Sequence, residues 1–247
     1  MPNICNNRMT LTGPMEELER FRELFKGFDY QFTYQAIIPQ PVGLDVPESS
    51  DKPYAVALYL HEMASNGSKT LDTELMRKWD KVSAFGLFTA DGNLAADAMK
   101  KVSDQYEQYR DNINRYKSTG VACDKCPTSG EWIRSREQLC KLGEQLVFNK
   151  ATTGSESWYD WNCENWGVKW DAGDCDEVEI CGNEISLYFT SPWGPPNKVF
   201  MAIIEQFPKL SLTVEVDCEG TGRWTITSEN GVLVESDVTT DWDDEEE

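Results

Sequence analysis

The chain is expected to fold as an α+β protein: a ferredoxin-like antiparallel sheet with helices on one face, interrupted by a helical insertion. Three observations predict this. Short alternating apolar segments occur at both ends, a helix signal follows the first of them, and the apolar residues of the middle region recur at helical spacing. The 247 residues are enough for one large or two small domains with a real core.

Residues 3–12 alternate weakly around Ile4, Met9 and Leu11 and read as a strand. Thr12-Gly13-Pro14 opens a helix, with Pro near its first turn and Glu16 and Glu17 at its positive end. Leu18, Phe21, Leu24 and Phe25 form its apolar face, and Gly27 stops it. Tyr30 to Ile38 reads as a second strand, ended by Pro39 and Pro41.

From residue 43 the texture becomes helical, beginning with Tyr54 to Met63 and continuing through Leu71, Leu75, Trp79 and Val82. Leu94, Ala98, Val102, Tyr106, Tyr109, Ile113 and Tyr116 lie on one stripe of a long amphipathic helix. Another helix carries Trp132, Leu139 and Leu146, with Ile133, Cys140 and Val147 beside them. The Ser118 to Gly130 loop joins the two as an antiparallel pair.

Past residue 150 the chain reads as β-like again. It starts with a dense aromatic segment holding Trp158, Trp161, Trp166 and Trp170. Glu177 to Cys181 and Ile185 to Thr190 form a hairpin around Gly182-Asn183, and Pro195-Pro196 starts a helix through Val199, Ile203 and Phe207. Leu210 to Val216, Arg223 to Thr227 and Val232 to Val234 alternate as further strands. The expected organisation is a split α+β domain over residues 1–42 and 151–236, an insertion over 43–150 and an acidic tail over 237–247.

Charge is distributed unevenly. The chain has 43 acidic and 23 basic residues and a formal net charge of −20; 22 of the acids but only Lys169, Lys198, Lys209 and Arg223 among the bases follow residue 150. So negative a surface opposes unaided binding to nucleic acid or anionic membrane, which are read through Lys and Arg. It suits basic protein surfaces or cations. No run of about 18 apolar residues exists and the first residues lack a signal-peptide pattern, so the protein is expected in the host cytoplasm, off the membrane, with mostly reduced cysteines.

Three segments carry a family resemblance: the opening Met1-Pro-Asn-Ile-Cys-Asn-Asn-Arg8, Glu164-Asn-Trp-Gly-Val-Lys-Trp-Asp171, and Leu187-Tyr-Phe-Thr-Ser-Pro-Trp-Gly-Pro-Pro196. Together they resemble the YubB-type ferredoxin-like family of phages and conjugative plasmids, over roughly residues 1–40 and 155–235. The chain departs from that pattern at Ile4, where the family usually has Trp, and in its acidic tail. The resemblance implies the split fold and a mobile-element setting, and it carries over no activity and no catalytic residue. Trp166, Trp170 and Trp193 read either as core and turn residues or as an aromatic binding platform.

Candidate chemistry is sparse. Cys123-Asp-Lys-Cys126 offers half of a zinc site, whose second pair would come from the scattered Cys140, Cys163 or the distant His61; a redox pair or incidental thiols are the other readings. Cys5, Cys175, Cys181 and Cys218 fit small buried strand residues. His61, the one histidine, lies in a helical apolar stretch and reads as structural. Asp171-Ala-Gly-Asp-Cys-Asp-Glu177 fails the calcium-loop spacing, and neither phosphate-binding glycine motif is present.

The sequence therefore points to a non-enzymatic phage or plasmid protein that binds and inhibits a host nucleic-acid-handling protein with a basic surface. Its carboxylates would imitate phosphates, as an anti-restriction or anti-CRISPR inhibitor does. The expected contact residues are Asp171, Asp174, Asp176, Glu177, Glu179, Asp241, Asp243 and Asp244. Two alternatives stay open. One is a nucleic-acid-binding sheet aided by Lys100, Lys101, Arg110, Arg115 and Lys117; the other is a zinc-stabilised module or metal-dependent enzyme using Cys123, Cys126 and Cys140.

Overall fold

The structure, a computed structural model, describes residues 3–46, 48, 52–65, 104, 111, 114, 118 and 136–239. The chain divides into two compact units, Met1–Val42 with Trp158–Glu247, and Gly43–Ser157. The insertion thus ends at Ser157 rather than at residue 150.

The first unit is built on a five-stranded antiparallel sheet. Its strands are β1 (Ile4–Thr12), β2 (Glu184–Pro192), β3 (Ser211–Cys218), β4 (Gly222–Glu229) and β5 (Val232–Glu235), in the order β2-β1-β3-β4-β5. Helix α1 (Met15–Glu23) follows β1, and α5 (Asn197–Gln206) joins β2 to β3. Because β2 and β3 are each antiparallel to β1, they run parallel to one another, with β1 between them. This is the split β-α-β arrangement of ferredoxin-like sheets, and the α+β expectation holds.

Period-2 alternation decides which face of the sheet is buried. Cys5, Asn7, Met9 and Leu11 of β1 point inward with Ile185, Leu187 and Phe189 of β2 and Leu212, Val214 and Val216 of β3. Against them lie the buried Leu18 and Phe21 of α1 and Val199, Phe200, Ile203 and Ile204 of α5. Aromatic rings form a continuous seam: Phe207 meets Phe21 edge-on at 5.4 Å, Phe21 meets Phe25, Phe25 meets Phe32, and Phe32 meets Phe189 at 4.8 Å. A second branch runs from Tyr34 through Trp166 to Trp161.

Two local expectations are corrected. Tyr30 to Ile38 is not a strand: after a single bridge from Gln31 to Glu177 the backbone turns into a 3-10 helix at Tyr34–Ala36. Phe32 and Tyr34 are both buried, so the alternation is real, but Thr33 accepts a hydrogen bond from Gln35 N and the ladder stops. The aromatic segment after residue 157 is not β-like either. Trp158–Asn165 is a helix, α4, whose buried Trp161 stands against Trp166 beyond the helix end.

In the second unit α2 (Lys52–Ser65) packs against α3 (Arg136–Thr153) through Ala55, Leu58 and Leu139, with Cys140 and Leu142 alongside. A Cβ at Gly143 would fall 2.1 Å from the Ala55 carbonyl oxygen, so glycine permits the close crossing. The buried Asn149 donates to the carbonyls of Gly43 (3.0 Å) and Glu156 (2.9 Å), tying together the two ends of the insertion. Buried Lys52 meets Glu48 and Ser157 at the same end. Of the expected long helix only Asp104, Asp111 and Asn114 are described, all helical, exposed and off the apolar stripe; Ser118, expected to open the loop, is helical and exposed as well. The expected helix through Leu71 to Val82, the rest of the Leu94 to Tyr116 stripe and the loop beyond Ser118 lie outside the described residues.

Candidate functional site

The acidic segment after Asp171 runs along the outer edge of β2. Gly173 N donates to Thr190 O and Thr190 N to Gly173 O, at 3.0 and 2.7 Å, and Asp176 N donates to Tyr188 O. On its other side Phe32 N donates to Asp176 O, and Val178 N donates to Tyr30 O. The segment is thus hydrogen-bonded on both sides, and it covers an edge that would otherwise expose a row of unpaired backbone groups. Val178 is buried and acts as its anchor.

This geometry separates the expected contact residues. Asp174, Glu177 and Glu179 are exposed, and among the described residues none of the three makes an ion pair. Asp176 is exposed too, but its Oδ2 accepts from Tyr188 N at 2.8 Å. Asp171 is turned inward: its carboxylate accepts from Thr33 Oγ1 (2.5 Å), Tyr34 N (2.6 Å) and Ala172 N (2.8 Å). It caps the 3-10 helix, and three of its acceptor sites are engaged by partners from its own chain, which leaves it less available than the exposed Asp174, Glu177 and Glu179. Asp241, Asp243 and Asp244 lie outside the described residues. The tail itself starts later than expected, since Thr239 still pairs with Arg223 beyond β5.

Glu19 and Glu23 of α1, which the sequence did not single out, border the same shallow depression as Glu179. Arg22 lines the depression too, its guanidinium donating to Val178 O at 3.1 Å and lying 4.0 Å from the centre of the Tyr30 ring. The first unit as a whole holds 26 acidic and 8 basic residues.

The face of the sheet opposite the core is polar. It has a concavity of about 590 Å³ whose lining includes Arg8, Tyr188, Glu215, Asp217, Arg223 and Asp237. Arg8 stands directly opposite Tyr188 and Glu215 in register, and Arg223 Nε is 3.0 Å from Asp217 Oδ2. Carboxylates here outnumber guanidiniums, and one guanidinium is already paired.

The three tryptophans divide. Trp166 is buried and donates through Nε1 to Ile38 O, which is the core role. Trp170 and Trp193 are 44% and 61% exposed, with the Lys169 ammonium 3.8 Å from one ring centre and 5.5 Å from the other.

Cys123 and Cys126 lie outside the described residues, and Cys140 is half-buried on α3 against the helix-pair core. Among the described residues no group of three or more His, Cys, Asp and Glu side chains could hold a metal ion. The expectation of reduced cysteines has one exception. Glu219 N donates to Ile4 O, so the next cross-strand pair, Cys5 and Cys218, is of the closely spaced kind, and the two are joined as a disulfide with Cα atoms 4.0 Å apart. No helix among the described residues is long and apolar enough to cross a membrane.

No protein-family model and no curated protein matches the chain. One solved structure, of a protein api92 from Yersinia pseudotuberculosis described with the family model DUF1281, is similar over 97% of this chain and 99% of its own, at 16% identity and a TM-score of 0.39.

Proposed function

We propose that the protein acts by occupancy rather than catalysis, binding the basic nucleic-acid groove of a host protein and excluding nucleic acid from it. The YubB-type resemblance supplies the mobile-element setting, in which an inhibitor of restriction or CRISPR defence is the natural form of such activity. One observation carries the reading: the segment 173–179 is fixed by backbone hydrogen bonds on both sides and presents exposed Asp174, Glu177 and Glu179 on that support. On extended chain Glu177 and Glu179 share one side of the backbone, about 7 Å apart. A fixed backbone under these side chains reduces the ordering that binding to Lys and Arg must supply.

A nucleic-acid platform is less well supported. The open sheet face such a platform would use carries Glu215, Asp217 and Asp237 against Arg8 and Arg223. The basic residues expected to help, Lys100, Lys101, Arg110, Arg115 and Lys117, lie outside the described residues.

The test is affinity capture of the tagged protein from host lysate at low and high salt, with and without nuclease. A basic nucleic-acid-handling protein should be retained after nuclease, released by salt, and displaced from its own nucleic acid by the purified chain. Recovery of nucleic acid that nuclease abolishes, or a captured protein whose nucleic-acid binding is unchanged by the chain, would overturn the reading.

A further inference from the structure

Two large indole rings, Trp170 and Trp193, lie open to water in the first unit, which also exposes Phe28 and Tyr159. Trp170 and Trp193 come from separate segments, one following α4 and the other following β2, yet both converge on the ammonium of Lys169. Tryptophan is the side chain whose ring face attracts a cation most strongly, and exposed tryptophans are over-represented among residues that dominate protein interfaces.

Hydrogen bonds fix the backbone from which both rings project. Trp193 has φ of 73°, a left-handed conformation that a bulky residue rarely adopts. It is kept there by its N–H donating to Asn3 O at 2.9 Å and by Ser191 Oγ donating to Gly194 O at 2.7 Å. Such conformations are enriched at ligand clamps and switch regions. On the other side, the Lys169 carbonyl accepts from the buried Asn162 Nδ2 at 2.8 Å, which anchors the base of the Lys169-Trp170 pair.

We propose that Trp170 and Trp193 form a clamp for a cationic side chain of a protein partner, with an arginine of that partner replacing Lys169 between the rings. The inference rests on the occupancy reading above and names the chemistry of its central contact. Charge complementarity selects the occupant: in a unit with 26 acidic and 8 basic residues, a basic segment is attracted and a phosphate chain repelled. Lysine is a compact, strongly hydrated charge on a flexible stem and swings into water readily. The planar, weakly hydrated guanidinium stacks on aromatic faces, so arginine displaces it.

The probe is a nona-arginine peptide titrated into the full chain, followed through the indole N–H signals by heteronuclear NMR. The Trp170 and Trp193 signals, identified by single Trp→Phe variants, should move together, and the Trp170→Ala/Trp193→Ala variant should bind at least tenfold more weakly. Lys169→Ala removes a competing cation and should bind several-fold more tightly than the unaltered chain. The Trp→Phe variants keep a ring and should retain part of the affinity, which covers the case of a poorly folded double alanine variant. Unchanged binding by the double alanine variant, unmoved indole signals, or weaker binding by Lys169→Ala would overturn the clamp. Reversal of Asp174, Glu177 and Glu179 separates the two proposals. If it leaves binding intact while the tryptophan variants lose it, the acidic-edge reading fails and the clamp stands; loss only on charge reversal sinks the clamp alone.

Discussion

Asp171 and Thr33 are joined by a 2.5 Å hydrogen bond from the threonine hydroxyl to the carboxylate, across 138 positions of sequence. The same carboxylate accepts from Tyr34 N, so one acidic side chain ends the bridge at Gln31 and starts the 3-10 helix. The first prediction follows from this pair. Asp171→Ala leaves a part-buried backbone donor without its acceptor and should cost about 1–3 kcal/mol. Urea unfolding at unchanged slope measures it, and capture of the basic partner should be unaffected; a variant as stable as the original would show that Asp171 is not a cap.

Reversing Asp174, Glu177 and Glu179 to Lys acts on the opposite kind of residue. All three are exposed, so thermal unfolding should stay within a few degrees of the original. Partner capture should be lost, while deleting residues 241–247 separately reports what the tail adds. Full capture by the triple variant would remove the edge from consideration.

Tyr34 gives a signature at high pH. Burial pushes its phenol well above the ordinary tyrosine range, and the nearby Asp171 and Cys175 add to that. The folded chain therefore keeps a proton that the unfolded chain gives up near pH 10, and this contribution is complete below that pH. As pH rises further, stability should fall by up to about 1.4 kcal/mol per pH unit until Tyr34 itself ionises. Tyr34→Phe removes a buried hydroxyl that has no hydrogen-bond partner among the described residues, and should flatten this alkaline loss in pH-dependent urea titrations. Equal slopes for both proteins would show that Tyr34 ionises freely.

The Cys5–Cys218 bond closes a loop of most of the chain, with 213 residues of sequence separation. Alkylation in denaturant followed by peptide mapping should leave these two unlabelled until a reductant is added, whereas the exposed Cys163 and Cys181 label at once. Reduction should lower stability by roughly 2–4 kcal/mol. Labelling of Cys5 without reductant would contradict the pairing.

Much of the sheet was legible because alternation and turn residues act locally. β1, α1, α5 and the three C-terminal strands follow from Met9 and Leu11, Pro14, Pro196, and the Asn230-Gly231 turn. The segments that misled are those where a distant group competes for the backbone. Phe32 and Tyr34 keep a strand's period, yet Thr33 and Asp171 take the donors that a ladder would need. The aromatic segment at Trp158 to Trp170 conceals a helix because Trp161 and Trp166 are buried together beyond any local pattern.

The candidate site divides along the same line. The sequence alone determined that nearly all the net negative charge lies after residue 150, since charge counting needs no coordinates. Which carboxylates are available was decided by the tertiary structure: Asp171 and Glu179 look alike in sequence, but one faces Thr33 and the other faces water. The convergence of Trp170 and Trp193 on Lys169 was likewise invisible, because their segments meet only after β2 pairs with the edge at Gly173. Local periodicity records the conformation of neighbours along the chain; hydrogen-bond competition and cross-chain proximity are set only when the sheet closes.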